Sequence, residues 1–145
     1  GKTFEEIKSE IIEYQKHSHL LFCLQSLANL ARNGRVSHAA AKIAGILGIQ
    51  IIGRASAQGT LELAHKLRGE KKVLNTIFKE MEMAGFSGGK VRISHCMNLA
   101  YVENLKSIIL EKYPNCDVQI LHCGALCSYY AERGGFIVGF DDYSA

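Results

Sequence analysis

The sequence predicts an α/β (α+β) domain: one six-stranded sheet, mostly antiparallel or mixed, with helices packed against it. Three observations carry that expectation. Short apolar runs alternate with helix-period segments through the second half of the chain. IQIIGRAS and TLELAHKL flank a glycine-containing turn, which is a hairpin signature. Finally, 145 residues at 48% hydrophobic suit one core rather than two.

The elements follow in order. Thr3 with Glu6 forms a capping box, and Phe4, Ile7, Ile11 and Ile12 recur on one face of a helix running to about residue 17. HLLFCLQ, 19–25, is too brief for a buried helix and reads as a central strand. SLANLARNG reads as a two-turn helix stopped at Gly34. The helix from Ser37 is expected to carry Ala40, Ile43, Ile46 and Leu47 inward and to end at Gly48. Residues 49–56 and 60–67 are the two hairpin strands, an antiparallel pair. RGEKKVLNTIFKEMEMAGF returns to helical period, with Val73, Leu74, Ile77, Phe78 and Met81 on one face. KVRISHC is a strand, NLAYVENLKSIILEKYP a helix closed by the only proline, and DVQILHC another strand. GALCSYYAERGG holds a short helix or loop, and FIVGF is the last strand. No internal repeat or low-complexity segment interrupts the order.

Composition excludes several function classes. Net charge is +3 and the 17 basic residues are scattered, with Lys71 and Lys72 the nearest approach to a cluster, so there is no nucleic-acid footprint. Apolar runs such as IAGILGIQIIG reach about ten residues and are broken by glycine, too short for membrane insertion. The five cysteines, Cys23, Cys96, Cys116, Cys123 and Cys127, are odd in number, and three lie in apolar strand-like contexts. With no signal peptide visible, a cytoplasmic address is expected. The chain opens GKTFEEI, directly on a helix and without an initiator Met, as an excised piece of a longer protein would.

The richest stretch is NGRVSHAAAKIAGILGIQIIG, residues 33–53. Asn33 and Gly34 suit a left-handed helix stop, Arg35 follows at once, and Ser37 is a competent N-cap for the next helix. A guanidinium beside free backbone N–H groups suits a carboxylate or phosphate; the plainer alternative is a turn in which Arg35 pairs a local acid. His122, Cys123 and Gly124 sit where strand DVQIL ends, the place where open α/β sheets present ligand groups. A histidine there either donates to an anion or bonds a neighbouring carbonyl. His95 has the same strand-end placement but ranks below His122, because CMN after it offers no glycine for a close backbone approach. Spacing among the cysteines and His122 fits no ordinary metal module, so neither metal nor cofactor is expected. RGEKK, 68–72, is a second candidate phosphate point, with a solvated helix start as its ordinary explanation.

Taken together, L-x-x-L-x-x-x-G-R-[IV] running into an alanine-rich helix and an apolar strand, then HKLRGEKKVL, a strand-end H-x-G and a terminal G-F-I-V-G-F resemble the C-terminal half of the DegV family. The resemblance implies a bacterial fatty-acid-binding protein, not an enzyme, in which two α/β domains hold one fatty acid between them. In one branch, it implies presentation of the acid to a fatty-acid kinase. By position, Arg35 matches the family's glycine-arginine turn and His122 the histidine of its H-x-G-P-G loop, both near the ligand carboxylate, with Gly34 and Gly124 in the site loops. Here the loop reads HCGAL, so Ala125 and Leu126 replace the family's proline and glycine. On this reading residues 1–145 form one domain equivalent to the family's C-terminal domain, and the N-terminal domain that supplies hydroxyl ligands is absent.

Three functions compete at this point. A lipid carrier would line an acyl slot with residues such as Leu24, Leu27, Ile43 and Leu47. A small cysteine-dependent hydrolase or transferase would use Cys123 as nucleophile and His122 as base. An interaction domain would dock a partner such as a kinase through its basic face.

Overall fold

The computed structural model describes residues 1–37, 41–42, 47–56 and 60–142. Its elements are α1 (Phe4–Lys16), β1 (Ser18–Leu24), α2 (Ala28–Arg32), β2 (Ile49–Ala55), β3 (Leu61–Arg68), α3 (Glu70–Met83), β4 (Lys90–His95), α4 (Leu99–Lys112), β5 (Asp117–His122), α5 (Ala125–Ala131) and β6 (Phe136–Asp141). Most of the helix expected from Ser37 to Gly48 and the tip of the hairpin turn lie outside the described residues.

Local chemistry sets most boundaries. The capping box at α1 is complete: Glu6 Oε2 accepts from the Thr3 N–H at 2.6 Å while the Glu6 N–H donates back to Thr3 Oγ1 at 3.4 Å. α2 is shorter than its sequence suggested, and it ends as Gly34 promised. Gly34 has φ +66°, its N–H donates to Ala31 O at 3.0 Å, and the Arg35 N–H donates to Leu30 O at 2.8 Å. That pair of bonds is a Schellman stop. α4 ends at Lys112, just before the residue that Pro114 pushes out of helical conformation.

The strands form one mixed sheet in the order β3-β2-β1-β6-β4-β5. Neighbours are antiparallel except β4 and β5, which run parallel around α4 as the crossover. The expected hairpin is present, with Ile49 opposite Arg68 and Ala55 opposite Leu61, and its register shifts at Ile52/Gly53.

Both faces of the sheet are apolar. On one, Leu21, Cys23, Ile52, Ile93, Phe136 and Val138 meet Val73, Leu74, Ile77 and Met81 of α3 and Val102, Leu105 and Ile109 of α4 to form the main core. On the other, Phe22, Leu24 and Ile51 meet Leu27, Leu30 and Ala131 in a smaller cluster from α2 and its approach and from α5, with partly buried side chains such as Val36, Leu61 and Ile137 packed against it. Strand alternation allots the central strands to the two faces in turn.

One expectation is corrected. Leu47, expected inward, is 93% exposed, because it lies in the turn that Gly48 closes with φ +77° rather than on a packed helical face. α1 has an apolar stripe but no buried residue. Its C-terminal end is tied to the far end of β6: Tyr14 Oη donates to Asp141 at 3.4 Å, and the rings of His17 and His19 lie 2.7 Å and 3.1 Å from the two oxygens of Asp142. The hydrogen bonds from His19 first, then His17, hold the Asp142 carboxyl below its usual range.

Gly53, at the register shift, has no room for a side chain. A Cβ there would overlap the Phe22 ring and the Glu62 carbonyl oxygen. Gly53→Ala is therefore expected to destabilise the fold by about 1–3 kcal/mol, the range for overpacking a core, as read by urea unfolding. An unchanged midpoint would show that β2 and β3 can part there freely.

Candidate functional site

β1, β3, β4 and β5 all run the same way through the sheet, so their C-terminal ends, Leu24, Arg68, His95 and His122, share one edge. The connection from β1 to β2 leaves and re-enters at that same edge and carries Arg35. Topology thus puts Arg35 and His122 on one side of the domain, where the strand-end argument expected ligand chemistry.

Arg35 follows the Schellman stop directly and is exposed, and it makes no ion pair among the described residues. The short helix before it is fastened to the helix after His122. Asn29 Nδ2 donates to Tyr129 O at 2.8 Å, and Asn33 Nδ2 donates to Tyr129 Oη at 3.1 Å. Glu132 completes the joint, since one of its carboxylate oxygens accepts from Ser26 Oγ at 2.9 Å and from the Asn29 N–H at 3.2 Å. Glu132 does this from φ 53°, ψ 179°, a conformation that residues with a side chain adopt only when their surroundings hold them there. Nothing in the local sequence marks Glu132, because its partners lie about a hundred residues away.

His122 is exposed and ends β5 opposite His95 in the parallel register. The two rings meet with centroids 4.6 Å apart at 56°. His95 is only 2% exposed, and its Nδ1 accepts the Asn98 N–H at 3.0 Å. Its proton therefore sits on Nε2, which is buried with no hydrogen-bond partner among the described residues. Burial, and secondarily the neighbouring His122, lower the His95 pKa below the usual imidazole value. Sequence alone ranked His95 second; its packing behind His122 is a tertiary fact. Gly124 starts α5 in extended conformation with open space around it, and Ala125 and Leu126 form the first turn of that helix.

On the face of the sheet opposite α3 and α4, the described residues form an apolar groove of about 200 Å³, lined by Leu20, Phe22, Leu24, Leu30, Leu61, Cys127, Tyr130, Ala131 and Ile137. Leu24 lines this groove; Leu27 is fully buried in the cluster beneath it; Ile43 lies outside the described residues. By alternation His122 belongs to the other face, so polar edge and groove meet around the rim of the sheet.

Cys23, Cys116 and Cys123 are not activated. Burial raises the Cys123 thiol, with Cys127 and Cys96 adding to the effect, and burial pushes Cys23 up to about 12 and Cys116 up to about 11. Among the described residues no group of three or more His, Cys, Asp or Glu is arranged to hold a metal, and no helix is long and apolar enough to cross a membrane. At RGEKK the start of α3 carries its own acid, Glu70, which accepts from Asn104 Nδ2 at 2.6 Å, so that helix end is already complemented.

Comparison with known proteins gives one consistent result. Residues 1–141 match the family model described as "Uncharacterised protein, DegV family". A DegV domain-containing protein of Streptococcus gordonii is 40% identical over 141 residues, 97% of this chain and 50% of that protein. Among solved structures, a DegV family protein from Eubacterium eligens loaded with heptadecanoic acid superposes with TM-score 0.95 at 45% identity, covering 99% of this chain and 52% of that one. The Streptococcus pneumoniae Fatty Acid Kinase (Fak) B3 protein loaded with linoleic acid gives TM-score 0.95 at 38% identity, covering 99% and 51%. The chain thus spans about half the length of the curated relatives it matches.

The depressed His95 pKa has a consequence for stability. A folded pKa below the unfolded 6.5 means that the His95 contribution is complete above pH 6.5 and is lost as pH falls through the lower folded value. Melting temperature followed downward from about pH 8 is expected to drop in that window, and to drop less in His95→Asn. Asp142, whose carboxyl is lowered from 3.8, responds only in more acidic solution. Equal slopes in both proteins near pH 6.5 would take the effect away from His95.

Proposed function

The chain belongs to the DegV family, and from that premise we propose that it binds a long-chain fatty acid, without catalysing a reaction on it, and presents it to a fatty-acid kinase in the cytoplasm. The observation that carries this reading is the pairing of an apolar groove with Arg35, a cation that makes no ion pair among the described residues, at the adjoining edge of the sheet. Arg35 and His122 are the carboxylate-binding residues, Gly34 and Gly124 shape their loops, and the acyl tail follows the groove past Leu24. Raised thiol pKa values speak against the alternative of a Cys123/His122 hydrolase, which would need a thiolate near neutral pH.

The groove is small for this task by itself. Sites for drug-sized ligands enclose roughly 300–1,000 Å³, and this one offers about 200 Å³ with one side open. In this proposal residues 1–145 are one domain of a two-domain protein, and a second domain, such as the relatives' greater length accommodates, roofs the tail and adds ligands for the carboxylate. Apolar burial is worth about 25 cal/mol per Å² removed from water, so a tail exposed along its length forfeits much of its binding energy. A hydrated carboxylate also screens Arg35.

Two outcomes test the reading. Calorimetric titration of the 145-residue chain with a long-chain fatty acid, below its micelle concentration, is expected to give weak binding or none; tight stoichiometric binding would show that the site is complete within one domain. In a protein of the relatives' length that carries this domain, Arg35→Ala is expected to weaken fatty-acid binding by about 1.5–3 kcal/mol, the scale of a charge-assisted hydrogen bond. Unchanged affinity removes Arg35 from the site.

A further inference from the structure

We propose that His95 is the positioning residue for His122: its buried Nε2–H is the donor that orients the His122 imidazole, so that His122 turns its own N–H outward to an anionic ligand, a role that rests on the carboxylate site proposed above. The argument begins with hydrogen-bond accounting at His95. Nδ1 is occupied by the Asn98 N–H at 3.0 Å, which fixes the tautomer and leaves the proton on Nε2. That N–H is buried and unpartnered among the described residues, in a ring only 2% exposed. Buried donors are nearly always satisfied, and an orphan calls for a reason.

The group beside it supplies one. His122 is the register partner of His95, its ring centroid is 4.6 Å away, and the Cys123 N–H donates to His95 O at 2.9 Å, which holds the two strand ends together. His122 is exposed, and rotation about the bond to an imidazole ring meets a broad, shallow barrier. A turn of the His122 ring lets one of its nitrogens accept from His95. A neutral imidazole that accepts at one nitrogen carries its proton on the other, and that N–H then points away from the sheet, toward the edge shared with Arg35. The choice of a neutral imidazole behind His122 is apt for an anion site. The more common orienting group, a carboxylate, would place a negative charge behind the ligand's own. Burial keeps His95 in its neutral form near neutral pH, in line with this role.

Two substitutions separate orientation from mere support. His95→Asn retains an acceptor for the Asn98 N–H and removes the Nε2–H; His95→Gln retains an N–H near the Nε2 position and removes the acceptor. The first readout is the pair of imidazole ¹⁵N resonances of His122 in the 145-residue chain at neutral pH. The native chain is expected to hold His122 in one tautomer. His95→Gln should preserve that signature even where its melting temperature falls, and His95→Asn should average it even where the fold is intact. Unchanged His122 resonances in His95→Asn overturn the proposal, and so does equal perturbation by both variants in step with lost stability. The second readout is fatty-acid affinity in a protein of the relatives' length carrying this domain. His95→Asn is expected to weaken binding about three- to tenfold, the scale of one net hydrogen bond, and His95→Gln to stay near native. Loss of binding in His122→Ala without loss in His95→Asn refutes the role of His95 and leaves the site standing. Native affinity in His122→Ala refutes the site, while the resonances still report whether His95 orients His122.

Discussion

Everything in this domain depends on a sheet that is apolar on both faces, with the larger core packed under α3 and α4. β1 lies inside the sheet, between β2 and β6, and its alternating side chains feed both layers: Leu21 and Cys23 into the core under α3 and α4, Phe22 and Leu24 into the smaller cluster opposite. The face under α3 and α4 contains the largest set of fully buried side chains and so supplies most of the hydrophobic driving force. Among the described residues the other face carries a smaller cluster, packed by Leu27, Leu30 and Ala131 from α2, its approach and α5. The apolar groove lies beside that cluster.

The polar groups at the strand-end edge are held by long-range bonds rather than by local turns. Glu132 reaches across from the end of α5 to complement the start of α2, and Asn29 and Asn33 return bonds to Tyr129. Arg35 and the helix that follows His122 thus belong to one joint, and a strained backbone at Glu132 is tolerated because several bonds determine its position together. The opposite edge is tied differently, through Asp142 and the rings of His17 and His19.

The relation to DegV proteins sets these features beside those of proteins whose structures hold fatty acids. Structures of relatives loaded with heptadecanoic and linoleic acid share this half of their fold at TM-score 0.95. An acyl chain asks for a long dry surface and a carboxylate asks for a few fixed donors. In the proposed reading the groove would meet the first need and the strand-end edge the second.

Much of the fold was legible in the sequence because its signals act between near neighbours in the chain. Thr3 and Glu6 cap a helix, Gly34 stops one, Pro114 ends another, and two alternating runs around a short turn make a hairpin. Arg35 and His122 stand out as candidates in the same way, as residue types placed after a helix stop and a strand end. The sequence could not show that β6 inserts between β1 and β4, that His95 lies packed behind His122, or that Glu132 serves a helix about a hundred residues earlier. Nor did periodicity reveal that α1 buries nothing or that Leu47 faces solvent. Period and propensity tell which side of an element is apolar. Only the meeting of distant elements decides which apolar sides are covered, and which buried polar atoms find a partner.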